Sequence, residues 1–273
     1  MIPINIDPNM FSIGPLLITW HGFFSAVGLG VGLWLTANMV AAASKTVTAD
    51  DVYSIALWAV PGGIVGARLL YVLENAYLFA NNPLGMFAIN EGGISIYGAV
   101  IGGTLPGAIY CSRSHKPLAM LADRAMIGLL LGQGIGRIGD IINGEHHGRE
   151  AFDFPFSVVY THPNTLGERG LPVHLAVGYE LVYDLVFSWL LTVLLKKQPR
   201  DGLTFWAYQA VYGFGRLWVG FFRKDTLVVG PLGMAQTLGL IGVLVAVPVF
   251  IYMWRPSPPA VASPAAGHRN ARA

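Results

Sequence analysis

Seven apolar stretches run through the chain, at about 16–43, 52–73, 94–111, 118–135, 175–195, 203–222 and 232–254. Each approaches the roughly 20 residues that a membrane-crossing helix needs. The pattern predicts an all-α polytopic membrane protein of about seven transmembrane helices. Glycine is frequent in the third and fourth stretches, which read as short or tilted spans. The first stretch is far longer than the apolar core of a signal peptide and follows no Lys or Arg, so it is expected to stay as a span. No internal repeat is visible.

The polar connections orient these spans. Lys45, then Arg113 with Lys116, then Lys196, Lys197 and Arg200, then Arg255, Arg269 and Arg272 fall in alternate connections and the tail. The amino-terminal segment and residues 75–90 carry no Lys or Arg. Short basic loops stay in the cytoplasm. The amino terminus is therefore expected outside and the carboxy terminus in the cytoplasm, which an odd number of spans requires. Residues 149–173 then form an external head between spans four and five. Its Val158-Val159-Tyr160 run among Pro155, Pro163 and Pro172 predicts a strand or two. The expected organisation is a membrane domain over 1–255 and a disordered, Pro- and Ala-rich cytoplasmic tail over 256–273.

Composition sharpens this picture. The chain of 273 residues is 54% hydrophobic and only 12% charged, half the charge of a soluble domain, so the apolar surplus must face lipid. Net charge is a formal +2, too small and too scattered for nucleic acid. The single Cys111 excludes an internal disulfide and a cysteine metal cluster.

Candidate chemistry gathers in Gly128–Arg149, GLLLGQGIGRIGDIINGEHHGR. Gly128, Gly132 and Gly136 stand four apart, so one helix face can approach a neighbour closely. Arg137, Asp140 and Asn143 follow at spacings of three and project from one side of a helix, with Glu145 just beyond. Arg68 and Arg216 also lie within apolar stretches. A lone arginine there is accounted for by a local partner, such as Glu74 for Arg68, or by snorkelling to the interface. Three, with a carboxylate and an amide nearby, favour an anion site, and a lipid phosphate is the anion at hand.

Other motifs carry less. Gly134, Gly136 and Gly139 satisfy G-x-G-x-x-G, but no strand precedes them. His146 and His147 are adjacent, a poor spacing for a shared metal. His174 with Glu180 reads as orienting the external head, and Glu91 as capping the third span.

The segments GARLLYVLENAYLFANNPLGMFAINEGGISIYGAVIGG, GRIGDIINGEHHGR and YGFGR resemble the prolipoprotein diacylglyceryl transferase family of bacterial inner-membrane enzymes, and the likeness covers nearly the whole chain. The resemblance implies transfer of a diacylglyceryl group from phosphatidylglycerol to the signal-peptide cysteine thiol of a prolipoprotein, with release of glycerol phosphate. It implies no metal or organic cofactor. The implied partners are phosphatidylglycerol, the signal peptide and the bilayer, with no nucleic acid, and the chain is expected to act as a monomer. By resemblance Arg137 and Arg216 hold the phosphate, Asn143 and Glu145 bind or orient the glycerol head group, and Tyr212 lines the same cavity; Asp140, beside Arg137, and Arg68, as the third arginine, are expected among the substrate-binding residues.

Six positions, in five motifs, depart from the family pattern. Tyr97 stands where the family has a histidine proposed as a base, His21 where it has the tyrosine of a Trp-Tyr pair, and Asp140 where it has asparagine. Leu175 and Val177 interrupt the box kept as His174, Tyr179 and Glu180, and Gly220 replaces an acidic residue. These changes describe a divergent member, in which His21 and Tyr97 are expected to have exchanged roles and to approach each other and Arg137. A non-catalytic or altered-specificity phospholipid-binding paralogue is the alternative. A small transporter ranks last, since paired half-repeats are absent.

Overall fold

The computed structural model describes residues 1–14, 16–80, 82–88 and 92–255; Glu91 and the tail 256–273 lie outside the described residues. Among these are seven α-helices: α1 (Trp20–Ala43), α2 (Ala49–Glu74), α3 (Ile96–Arg113), α4 (Leu118–Asn143), α5 (Ala176–Leu195), α6 (Leu203–Gly220) and α7 (Met234–Trp254). Five of them, α1, α2, α4, α5 and α7, are long and apolar enough to cross a membrane. α3 and α6 have 18 residues each and fall short of that measure, α6 because Tyr208, Gln209, Tyr212 and Arg216 interrupt it.

Two boundaries differ from expectation. The first apolar stretch is not helical throughout: β3 (Leu16–Thr19) pairs antiparallel with β2 (Asn9–Ile13) before α1 begins, and the Thr19 hydroxyl accepts from the Gly22 N–H to cap the helix. The fourth helix does not stop where its apolar run stops. It continues through Arg137 and Asp140 to Asn143, because those side chains find partners inside the bundle.

The bundle is inverted relative to a soluble protein. α1 buries Gly28, Gly32, Thr36, Ala37 and Val40, while α2 exposes Leu57, Trp58, Val65, Leu69 and Leu73 and α7 exposes Ile241, Leu244, Val245 and Ile251. Small and polar groups inside with large apolar groups outside is what a lipid solvent demands. The chain is a polytopic membrane protein.

Small residues set the helix pairing. Gly28 and Gly32 of α1 abut the backbone of Gly132 and Gly128 of α4, Gly62 and Gly66 of α2 meet Gly102 and Gly98 of α3, and Gly213 of α6 meets Gly239 of α7. Gly128 and Gly132 thus make the close approach that their spacing predicts, whereas a Cβ at Gly136 would meet only Ser25 Oγ at 3.9 Å, and α4 becomes the central helix, packed on α1, α5 and α6. A Cβ at Gly32 would lie 2.5 Å from the Gly128 carbonyl oxygen, where the facing atom is backbone and cannot move aside. Gly32→Val is therefore expected to cost about 1–3 kcal/mol or more, read as a lower thermal midpoint in detergent; an unchanged midpoint would contradict this packing.

The head rests on the carboxy end of α4. The head holds two strands, within the one or two expected: β4 (Val158–Tyr160) pairs antiparallel with β5 (Pro172–Val173), and the amino-terminal β1 (Ile2–Ile4) adds a third, parallel to β4. The terminal carbonyls of a helix need outside donors. Tyr160 Oη donates to Ile141 O at 3.0 Å, and Leu166 N and Thr165 Oγ1 donate to Asn143 O at 2.9 and 3.2 Å. Burial pushes the Tyr160 phenol up to about 12, so it remains a donor. A small hairpin, β6 (Leu227–Val229) with β7 (Leu232–Gly233), links α6 to α7.

Candidate functional site

The last two turns of α4 point their polar face toward α1, α5 and α6. Arg137 Nη1 donates to Asp140 Oδ2 at 2.7 Å, one turn on. The helix ends at Gly144 in the left-handed conformation, φ 77°, with the N–H groups of Gly144 and Glu145 both on the Asp140 carbonyl, a glycine-terminated stop. That stop folds Glu145 back, and Asn143 Nδ2 donates to Glu145 Oε1 at 2.9 Å. Gly139 has the start of α1 against its Cα: an added Cβ would lie 2.6 Å from His21 Cα. The glycine lets His21 come down onto Asp140, with Nδ1 2.5 Å from Oδ1 and 3.6 Å from Glu145 Oε2.

A second carboxylate organises the arginines. Glu180, in the first turns of α5 and only 5% exposed, takes Arg216 Nη1 at 2.6 Å and Arg223 Nη1 at 3.3 Å on Oε1, and Arg137 Nη2 at 2.8 Å on Oε2. Three guanidiniums from α4, α6 and the segment after α6 thus converge on one buried anion. Arg223 also pairs through Nε with Asp225 at 3.3 Å and through Nη2 with His146 Nδ1 at 3.0 Å. His146 sits in the left-handed region, φ 58°. Burial, then the Arg223 and Arg137 charges, push its pKa down to about 4, so at neutral pH it is uncharged and Nδ1 accepts from Arg223.

Donors remain to spare. A guanidinium offers five N–H groups, yet among the described residues Arg216 makes one ion pair, through Nη1, and buried Arg137 Nε has no hydrogen-bond partner. A cavity of about 10 Å³, room for a single water, opens between Arg137, Glu180, Asp184, Tyr212 and Arg216. Tyr212 stacks on Tyr208 with ring centroids 5.6 Å apart, which fixes that wall.

Arg137, Arg216, Tyr212, Asp140, Asn143, Glu145 and His21 are thus brought to one end of the bundle, as the sequence predicts. Two expectations are corrected. Arg68 does not join them: Nε donates to Met86 O, Nη1 to Gly92 O and Gly93 O, and Nη2 to Gly85 O. The carbonyls of the α2–α3 connection consume its donors, and no pair with Glu74 forms among the described residues. Nor do His21 and Tyr97 hydrogen-bond to each other among the described residues. His21 lies with Asp140, Glu145 and Arg137, whereas the charges bearing on the 40%-exposed Tyr97 phenol are Arg216, Tyr212 and Glu74.

Arg223, Asp184 and His146 belong to the cluster although the sequence pattern does not mark them as site residues, and Glu180, expected to orient the head, instead anchors the arginines. That orienting task falls to His174, whose Nδ1 lies 3.1 Å from Tyr179 Oη and whose ring packs on Phe154 and Phe222. A carboxylate in an apolar helix, at a position where two arginines already lack partners, was the available signal for Glu180.

The donor atoms of His21, Asp140 and Glu145 lie within 4.8 Å of one another, a spacing a divalent cation accepts. The Arg137 guanidinium 2.7 Å from the same Asp140 carboxylate opposes a second cation there, so the donor set fits a hydrogen-bonded cluster better than a metal.

The model of the prolipoprotein diacylglyceryl transferase family matches residues 8–252. The chain belongs to this family. A phosphatidylglycerol–prolipoprotein diacylglyceryl transferase of Dehalococcoides mccartyi is 38% identical over 257 residues, 93% of this chain and 96% of the relative. Proteins of the same name from Trichormus variabilis and Clostridioides difficile are 35% identical over 269 residues (94% of each chain) and 32% over 248 residues (91% of this chain and 96% of the relative). The transferase family match takes in every residue of the cluster around Glu180 and Asp140.

Proposed function

We propose that this chain transfers the diacylglyceryl group of phosphatidylglycerol to the cysteine thiol of a prolipoprotein signal peptide, and that Arg137 and Arg216 hold the phosphate that leaves. The observation that carries the assignment of residues is the shared carboxylate: Arg137 and Arg216 approach Glu180 to 2.8 and 2.6 Å across one cavity. With room for one water, that cavity admits a phosphate only if the guanidiniums trade part of their hold on Glu180 for the lipid. The free donors of Arg216 and Arg137 Nε are what they have to offer.

The sulfur attacks the glyceryl carbon bearing the phosphate ester, and negative charge grows on the departing phosphate oxygens. Fixed guanidiniums in a partly dehydrated cavity stabilise that charge without reorganising. Asn143 and Glu145 face the glycerol head group, Asp140 fixes Arg137 and His21, and Tyr212 and Tyr97 line the Arg216 side.

All seven helices cross the bilayer in this reading, with α3 and α6 shielded by their neighbours. The head, β1 and the α2–α3 and α6–α7 connections lie outside, and the short basic connections face the cytoplasm of a bacterial inner membrane. The chain acts as a monomer.

Expression in a bacterium depleted of its own transferase, with mass spectrometry of a test lipoprotein, decides the activity. The expected result is growth together with the added diacylglyceryl mass. Good membrane expression without that mass would overturn the assignment and leave a phospholipid-binding relative.

A further inference from the structure

We propose that His21 and Asp140 form the dyad that removes the proton from the substrate cysteine, His21 Nε2 being the base and Asp140 the positioning residue. The inference rests on the transferase reading and adds to it the group that generates the nucleophile.

The geometry is that of an oriented imidazole. Asp140 is 2% exposed and held in place from the other side by Arg137, which keeps it an anion. Its Oδ1 accepts from His21 Nδ1–H at 2.5 Å. That bond selects the tautomer with the proton on Nδ1 and leaves the Nε2 lone pair free to accept. The His21 side chain is 44% exposed, so the imidazole can be reached from outside the cluster while Nδ1 is locked. The charged groups facing the imidazole are Asp140, Glu145 and Arg137, all from α4 or the turn after it. Tyr97 stands with Arg216, Tyr212 and Glu74, and a phenol titrating near 10 is a weak base at neutral pH.

Nε2 takes the proton from Sγ. The resulting thiolate forms a C–S bond at the glyceryl carbon as the C–O bond to phosphate breaks, and the electron pair leaves with the phosphate oxygen. The imidazolium then hands its proton to the released glycerol phosphate. Because Asp140 touches His21 through one oxygen and Arg137 through the other, thiol activation and phosphate binding share one carboxylate.

The test uses the full chain with phosphatidylglycerol vesicles and a synthetic prolipoprotein peptide carrying cysteine or selenocysteine, whose selenol is already ionised at neutral pH. With the cysteine peptide, His21→Gln is expected to lose about a hundredfold or more in rate. With the selenocysteine peptide most of that loss should disappear, since only the pre-formed anion is needed. An equal loss with both peptides would make His21 a structural residue and overturn the dyad, as would retention of most activity with cysteine. Should His21→Gln fold poorly, the unaltered chain still decides: its acid limb in kcat/KM against pH must move with selenocysteine down to the lower pH at which the selenol itself is protonated, and a limb unmoved from its cysteine position would sink the proposal. Asp140→Asn, which keeps an acceptor but removes the charge favouring the imidazolium, should move the cysteine acid limb to lower pH; an unmoved limb would deny Asp140 its role. Failure of the phosphate reading looks different, because Arg216→Ala would then retain lipid binding and transfer with both peptides.

Discussion

Arg137→Ala and Arg216→Ala are each expected to lower transfer by about a hundred- to a thousandfold, with most of the loss in kcat. In the proposed reaction each guanidinium faces a phosphate whose charge grows as the C–O bond breaks, so its effect is expected to be larger in the transition state than on bound lipid. The two variants should differ in stability. Among the described residues Arg216 makes one ion pair, to Glu180 Oε1, and Arg223 also lies 3.3 Å from that oxygen. Arg137 bridges Asp140 and Glu180 with its two terminal nitrogens, so its loss leaves two buried carboxylates short of a partner. Arg137→Lys is expected to be nearly as inactive as Arg137→Ala, because one ammonium cannot span both carboxylates as a fork does. The measurement is single-turnover transfer to a synthetic peptide, with circular dichroism to show that helix content is kept. A folded variant with most of its activity would remove that arginine from the phosphate site.

The features legible in the sequence are those where one physical requirement dominates. Runs of apolar residues locate helices because lipid admits little else, and α5 and α7 begin within two residues of their expected starts. The four-residue spacing of Gly128 and Gly132 marks the face of α4 that meets another helix, because only glycine lets two backbones touch, while the partner, α1, comes from the fold. Where two requirements compete, the pattern misleads. Residues 16–19 are as apolar as the helix after them, and only the backbone bonds to β2 make them a strand. The end of α4 lies beyond the apolar run because it is polar, and it stays helical because its polar groups are paired in space with α1 and α5.

The site was half legible in the same way. Arg137, Asp140 and Asn143 share a face through local periodicity alone. That Arg216 reaches the same place depends on α5 and α6 folding back beside α4, and the residue joining them is a glutamate on a third helix. Arg68 shows the converse. Its placement in an apolar span is indistinguishable in the sequence from that of Arg216, yet the carbonyls of a turn 17 to 25 residues away claim it.

Glu180→Ala is expected to be the most destabilising single substitution in the site, at about 3–5 kcal/mol. The carboxylate is almost fully buried, and its removal leaves Arg137, Arg216 and Arg223 facing one another across a gap with reduced access to water. Glu180→Gln should cost less. It keeps the shape and one acceptor oxygen, but it turns an amide N–H₂ toward a guanidinium that formerly had a carboxylate oxygen. Both variants should share a further property if these arginines serve an anion. With Glu180 gone the guanidiniums lack their resident partner, so phosphatidylglycerol should raise the thermal midpoint of the alanine variant more than that of the unaltered chain, by mass action on the folded state. Thermal unfolding in detergent, with phosphatidylglycerol or with a zwitterionic phospholipid of the same chain length added, reads both effects. An alanine variant as stable as the original would mean that Glu180 does not hold the arginines together. A destabilised variant that gains nothing from the anionic lipid would mean that the arginines it releases do not reach a phospholipid phosphate.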